Sequence, residues 1–115
     1  MTTDCLFCKI ARGEIPSKKV YEDDQIVAFE DINPRAPVHI LIIPRMHFAN
    51  VDSATEFEKD ILGTMILKAG EIARSKGVAA SGYRLILNTN ADAGQEVYHI
   101  HLHLLAGRKF TWPPG

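Results

Sequence analysis

The run Gln95-Glu96-Val97-Tyr98-His99-Ile100-His101-Leu102-His103-Leu104-Leu105 holds three of the chain's five histidines, spaced two apart with apolar residues between. In a β-strand, successive side chains alternate between faces. The pattern therefore predicts a strand over Val97 to Leu105. His99, His101 and His103 are expected on one face, and Tyr98, Ile100, Leu102 and Leu104 on the other. The apolar set buries against a core and the three imidazoles share the exposed face. Same-face neighbours on a strand are roughly 7 Å apart, so the outer imidazoles are about 13 Å apart. A metal needs nitrogen ligands at about 2 Å. One ion cannot take all three rings, though adjacent ones could share one, and the row reads as a polar platform for an extended ligand. A lone strand histidine is usually structural. Three on one face would each need a partner to be so.

Outward from this run, the chain bounds its own class. Its 115 residues make one domain, 1–115, with enough length for a core without staples. Thirteen basic and fourteen acidic residues give a net charge of −1. That balance argues against sequence-independent nucleic-acid binding. No apolar run approaches membrane-spanning length, and the N-terminus lacks a signal-peptide profile. A cytoplasmic protein with no membrane partner is expected. Two cysteines in a Cys-x-x-Cys arrangement suggest a reducing compartment.

Read in order, Cys5 to Arg12 predicts a short helix ended by Gly13, with Phe7 and Ile10 buried. Val20-Tyr21 and Ile26-Val27-Ala28-Phe29 read as a hairpin across Glu22 to Gln25. Pro34 and Pro37 make Asn33 to Val38 a loop. His39 to Ile43 is an almost wholly apolar strand stopped by Pro44, so both its faces should be covered. Asp52 to Lys76 is the one long helix. Ser53-x-x-Glu56 is its expected capping box, an apolar stripe from Phe57 through Met65 to Ala73 its core face, and Gly77 its stop. Its Lys59-Asp60 and Glu71-Arg74 charges are expected on a solvated face. Tyr83 to Asn88 is a further strand, joined by the turn-rich Thr89 to Gly94 to the histidine strand. The fold class is α+β: an antiparallel sheet of about five strands, one long helix and one short N-terminal helix, with helices mainly on one face.

Gly94 allows close backbone approach, and the N–H groups of Gly94 to Val97 could form an anion nest beside the imidazoles. A largely neutral imidazole attacks phosphorus through a ring nitrogen, and His101 has a polar neighbour on each side. Cys5-Leu6-Phe7-Cys8 admits three readings: a redox pair, two ordinary thiols, or half of a zinc site. No strand precedes Cys5, which disfavours the redox reading. A Cys2His2 site would need His47 and one member of the histidine row.

The pattern His99-φ-His101-φ-His103-φ-φ, with Gly94-Gln95 before it, resembles the signature of the histidine triad superfamily. Nearly the whole chain, from Phe7-Cys8-Lys9-Ile10 to Trp112-Pro113-Pro114-Gly115, is similar to its Hint branch of nucleotide-binding phosphoramidases. The resemblance implies a HIT-like fold and a purine nucleotide as ligand: AMP, or an adenosine phosphoramidate as substrate. It implies that His101 is the nucleophile that becomes adenylylated and that His103 contacts phosphate oxygens. His99 completes the triad, and His39 is the family's fourth, supporting histidine. Asp31 would accept from the ribose hydroxyls with Ile32 beside the base. Phe7 and Phe29 would line the base pocket, Asn88 would donate to the phosphate, and Gly94, Gln95, Glu96 and Val97 would supply backbone donors. Many members carry serine where this chain has Glu96, as some bacterial members also do, which leaves open the acid that serves the leaving group. Some bacterial members hold zinc through residues matching Cys5, Cys8, His47 and His99. Such zinc would be structural, and no cofactor is required for the chemistry. The tail 108–115 resembles one that reaches across a homodimer. Three other functions stay open: a dinucleoside polyphosphate hydrolase, disfavoured by the Trp-Pro-Pro-Gly ending, a non-catalytic nucleotide-binding adaptor, and a metal-binding module.

Overall fold

The computed structural model describes residues 5–115. Residues 1–4, where the signal-peptide reading begins and which the single-domain reading includes, lie outside the described residues. The elements are α1 (Leu6–Ala11), β1 (Lys19–Glu22), β2 (Ile26–Glu30), β3 (Val38–Pro44), α2 (Lys59–Ser75), β4 (Tyr83–Ile86) and β5 (Leu102–Ala106). The five strands form one antiparallel sheet in the order β1-β2-β3-β5-β4.

The centre of the sheet follows from β3. Its residues alternate between two cores, which is why none of them is polar except His39. Ile40 and Ile42 join Ile26, Ala28, Leu102 and Leu104 beneath Met65, Ala69, Ile72 and Ala73 of α2. Leu41 and Ile43 join Val27 and Phe29 beneath Phe7, Ile10 and Ala11 of α1. The two helices thus cover opposite faces of the sheet, rather than mainly one face. Six-residue α1 is too short to hold by itself. Its buried Phe7 and Ile10, and the Cys8 N–H donated to the Cys5 thiolate or thiol sulfur, fix it there.

Three details at the helix start and at the end of β3 differ from expectation. The long helix is capped two residues later than its sequence suggested. Phe57 N–H donates to Thr55 Oγ1 and Thr55 N–H donates to Glu58, around a 3-10 turn at Glu56–Glu58. Ser53 is already committed to Asn50, which it meets through three hydrogen bonds. The cap shift turns Phe57 out of the stripe, and it is 90% exposed while Met65 is 1%. Pro44 ends β3 from inside, paired with Ile26. A proline is tolerated at that end because the strand terminus needs no further donor. The tail folds back, with Arg84 donating to the Thr111 carbonyl and Phe110 lying beside both the Arg84 and Arg108 guanidinium groups.

Candidate active site

The histidine run is not one regular strand. Hydrogen-bonded pairing begins only at Leu102. The preceding Val97 to His99 form a bend, and Ile100 N–H donates instead to the Phe48 carbonyl. Alternation survives the bend: Ile100, Leu102 and Leu104 enter the α2 core. Tyr98 does not, and is 45% exposed. The three imidazoles therefore do not share one open face. His99 is wholly buried against the two cysteines, while His101 and His103 line a cavity.

That cavity has a volume of about 320 Å³. One side is apolar, built by Phe7 and Ile10 of α1, Ile15, Phe29 of β2 and Leu41 of β3. The polar side carries Asp31, Asn88, Gly94, Glu96, His101 and His103, with exposed Ile32 at the rim. Ten of the residues singled out in the sequence thus meet here: Phe7, Phe29, Asp31, Ile32, Asn88, Gly94, Glu96, Val97, His101 and His103. Gln95, His39 and His99 stand behind its wall.

The backbone fixes the proton on each ring. A carbonyl only accepts and an amide N–H only donates. His101 Nδ1 lies 2.9 Å from the His99 carbonyl, so Nδ1 carries the proton and Nε2 the lone pair. Arg35 N–H donates to His39 Nδ1 at 3.0 Å, so neutral His39 holds its proton on Nε2. That proton points at His103 Nδ1, 3.0 Å away, which leaves the His103 proton on Nε2. Asp31 lies 3.5 Å from His39 Nε2 and accepts the Asn33 N–H through its other oxygen. Burial pushes His103 down to about 4, helped by His101 and His39. His101 and His39 are lowered for the same first cause, burial, against an opposing pull from Asp31. All three rings are thus neutral at pH 7. The Phe7 ring meets His101 edge-on at 5.0 Å and holds its plane.

The loop opposite is set by a buried amide cluster that the sequence reading did not single out. Gln95 Nε2 donates to the Ala49 and Val97 carbonyls, and Gln95 Oε1 accepts from Asn50 Nδ2 and the Asn90 N–H. Asn50 Nδ2 also reaches Asn90 Oδ1. Gln95 is therefore a clamp rather than a wall residue. Gly94 and Asn90 take positive φ, 87° and 67°, which glycine and asparagine tolerate best. The Gly94 and Gln95 N–H groups are spent on Ala91 and Asn90 carbonyls. Of the expected nest, the N–H groups of Glu96 and Val97 remain uncommitted among the described residues. The only early signal for the clamp was the density of amides, which turns share.

Behind His99, four donor atoms converge. Cys5 Sγ and Cys8 Sγ lie 3.4 and 3.5 Å from His99 Nδ1, and His47 Nδ1 lies 3.1 Å from it and 3.4 Å from Cys8 Sγ. His99 Nε2 donates to the Pro44 carbonyl at 2.8 Å, so its lone pair faces the cluster. Tetrahedral zinc with sulfur at about 2.3 Å and nitrogen at about 2.1 Å has ligand edges of about 3.4–3.8 Å. A Cys2His2 donor set at this spacing fits zinc. A carbonyl hydrogen-bonded to the far nitrogen of a ligating histidine, as Pro44 is to His99, is the usual way of orienting such a ligand.

Comparison with known proteins agrees with this geometry. The HIT domain model matches residues 12–110. The purine nucleoside phosphoramidase of Escherichia coli K12 is 53% identical over 108 residues, covering 94% of this chain and 91% of that protein. An uncharacterised HIT-like protein of Synechocystis is 48% identical over 115 residues, the full length of both. The crystal structure of a HIT family hydrolase from Legionella pneumophila superposes with a TM-score of 0.96 at 52% identity, over 97% of this chain and 100% of that one. A histidine triad protein from Clostridium difficile gives 0.92 at 49% identity over 95% of each chain. With the fold, the paired histidines and these relatives in agreement, the chain belongs to the HIT domain family.

Proposed function

We propose that the protein is a purine nucleoside phosphoramidase that cleaves the P–N bond of adenosine 5′-phosphoramidates through an adenylyl group on His101. The observation that carries this reading is the His101 tautomer. The His99 carbonyl holds the Nδ1 proton and leaves the Nε2 lone pair unshared beside the cavity. The 53% identity to the E. coli phosphoramidase supports the same reading.

The base would occupy the apolar side among Phe7, Ile10, Phe29 and Ile32. Asp31, an acceptor when ionised, suits the ribose hydroxyls. The phosphoryl group would sit before His101, receiving hydrogen bonds from His103 Nε2–H, Asn88 and the N–H groups of Glu96 and Val97. His101 Nε2 attacks phosphorus, the P–N bond breaks, and the departing nitrogen takes a proton from solvent. The adenylylated ring is cationic. The His99 carbonyl on Nδ1–H and the Asp31 charge stabilise it. Water then attacks phosphorus, the P–Nε2 bond breaks, and AMP leaves. His39 acts on His103 alone, holding its Nε2–H toward the phosphate.

Zinc in the Cys5, Cys8, His47 and His99 set would supply no chemistry here. It would tie α1 to the β3 exit and the start of the histidine run. A homodimer in which the tail 108–115 serves the interface completes the reading; Trp112, 82% exposed, is its most open aromatic. A monomeric mass in solution would remove that part. Thiols at Cys5 and Cys8 and the absence, among the described residues, of a helix able to cross a membrane accord with a cytoplasmic setting.

The test is intact-protein mass after brief mixing with an adenosine phosphoramidate and acid quench. Wild type gains one adenylyl group and His101→Ala gains none. A His101→Ala protein that keeps full turnover would overturn the assignment.

A further inference from the structure

The cavity is built for an anionic nucleotide, yet it lacks a formal cation. Its lining includes Glu30, Asp31 and Glu96 and not one lysine or arginine. Two of the carboxylates are already engaged. Glu30 pairs with Lys18 at 3.8 Å, and Asp31 accepts the Asn33 N–H and faces His39. Glu96 is exposed and makes no hydrogen bond or ion pair among the described residues. It is nonetheless not on a loose loop. The residue before it is the buried Gln95, whose side chain binds the carbonyls of Ala49 and Val97 and so braces the chain on both sides of Glu96. The scaffold holds an unpaired carboxylate at the rim of a site that would contact a phosphate.

An ionised carboxylate repels a nucleotide monophosphate. It attracts a positive charge carried elsewhere on the same substrate. Resting on the phosphoramidase reading, we propose that Glu96 selects the leaving group, and that the preferred substrates are nucleoside phosphoramidates of amines bearing a second, cationic group. Such a substrate is a zwitterion. Its ammonium offsets Glu96 while the phosphoryl group meets the amide and imidazole donors. After P–N cleavage the cationic amine departs. The AMP left behind is more negative than the substrate and has no countercharge, so the same carboxylate favours product release.

The experiment compares wild type with Glu96→Gln on three adenosine phosphoramidates: N-(2-aminoethyl), N-propyl and N-(2-carboxyethyl). Taking the ratio of variant to wild type on each substrate cancels differences in leaving-group basicity. Glu96→Gln should lower kcat/KM for the aminoethyl compound by about three- to fivefold, the range of an exposed charge pair. It should raise kcat/KM for the carboxyethyl compound by a similar factor. Both effects should shrink in 0.5 M salt, where screening reaches about 4 Å. An equal loss on all three substrates would overturn the proposal and make Glu96 a participant in the common step. No change on any would also overturn it. Wild type releasing no AMP even from the N-propyl compound would remove the phosphoramidase reading itself, and this inference with it.

Discussion

Among the described residues, two groups of side chains bring metal-ligating atoms within 4.8 Å of one another: Cys5, Cys8, His47 and His99, and Asp31, His39 and His103. Each holds two histidines at close spacing, joined in the first by two cysteines and in the second by a carboxylate. They differ in what the backbone does to one ring nitrogen. At His99, a carbonyl takes the outer proton and leaves the inner lone pair facing the cluster. At His39, an amide N–H fills the outer lone pair and leaves the inner proton facing the cluster. A proton aimed into a cluster closes it to a cation and opens it to an acceptor. The first group presents a donor set that fits a metal, and the second is a hydrogen-bond relay onto His103. The chemistry of a histidine is decided here by one main-chain atom on its far side.

The largest effect that can break this comparison is metal loading. Zinc at a thousandfold excess over its dissociation constant should add about 4 kcal/mol to stability. A chelator should remove it. Cys8→Ser should bind far less zinc, whereas Asp31→Asn should keep one equivalent. Metal content by mass spectrometry, with thermal melts in parallel, reads both. An Asp31→Asn protein that lost its zinc would reverse the two assignments.

The relay is tested next. His39→Ala leaves His103 Nδ1 without its donor and lets the ring turn. A loss of about 10- to 100-fold in kcat is expected, the range for a residue that orients a functional histidine. KM should change little, because His39 stands behind the cavity wall. A loss confined to KM would place His39 against the nucleotide instead.

How much of this could be read from the sequence depends on which atoms carry it. Alternation in Ile100, Leu102 and Leu104 and in β3 is a side-chain property, and it marked the buried face of the histidine run and the covering of both faces of β3, but not which helix covers which face. The helix cap was misplaced because Ser53-x-x-Glu56 and Thr55-x-x-Glu58 are equally good signals two residues apart. Asn50 decided between them by occupying Ser53, and Asn50 is itself held by Asn90 and Gln95, 40 and 45 residues away, which no local pattern records. The division of the histidine row was not legible either. An even two-residue spacing predicts one face, but the pairing starts at Leu102, and His99 is drawn toward cysteines more than 90 residues away. The choice of donor and acceptor nitrogens lies deeper still, since it rests on the Pro44 carbonyl and the Arg35 amide.

The relay also sets a pH response. Folded His39 and His103 have pKa values below the unfolded value of about 6.5, His103 at about 4. Between those limits the unfolded chain takes up protons that the folded chain refuses. Stability is therefore full above about pH 6.5 and falls as pH drops toward about 4, by an amount on the order of 1–3 kcal/mol. Chemical denaturation at pH 7.5, 6 and 5 would show the midpoint falling. In His39→Ala the fall should be smaller. A midpoint that rose on acidification would mean that the pair is protonated in the folded state.

The smallest expected effect is also the most pointed. Arg35 contributes its N–H to the relay, and proline has none. In Arg35→Pro the imidazole of His39 is still present, so the loss in kcat should be less than for His39→Ala, about three- to tenfold. What should change in kind is the tautomer. Without the amide donor, Nδ1 can carry the proton, and the Nε2 lone pair then faces Asp31 and His103. Nitrogen-15 shifts of the His39 ring would report the exchange. The relay would acquire the lone-pair arrangement of the cysteine cluster, and added zinc should inhibit Arg35→Pro at concentrations that leave wild type active. If Arg35→Pro keeps the wild-type tautomer and the wild-type response to zinc, the amide is not what separates the two clusters, and Asp31 alone must hold the proton on Nε2.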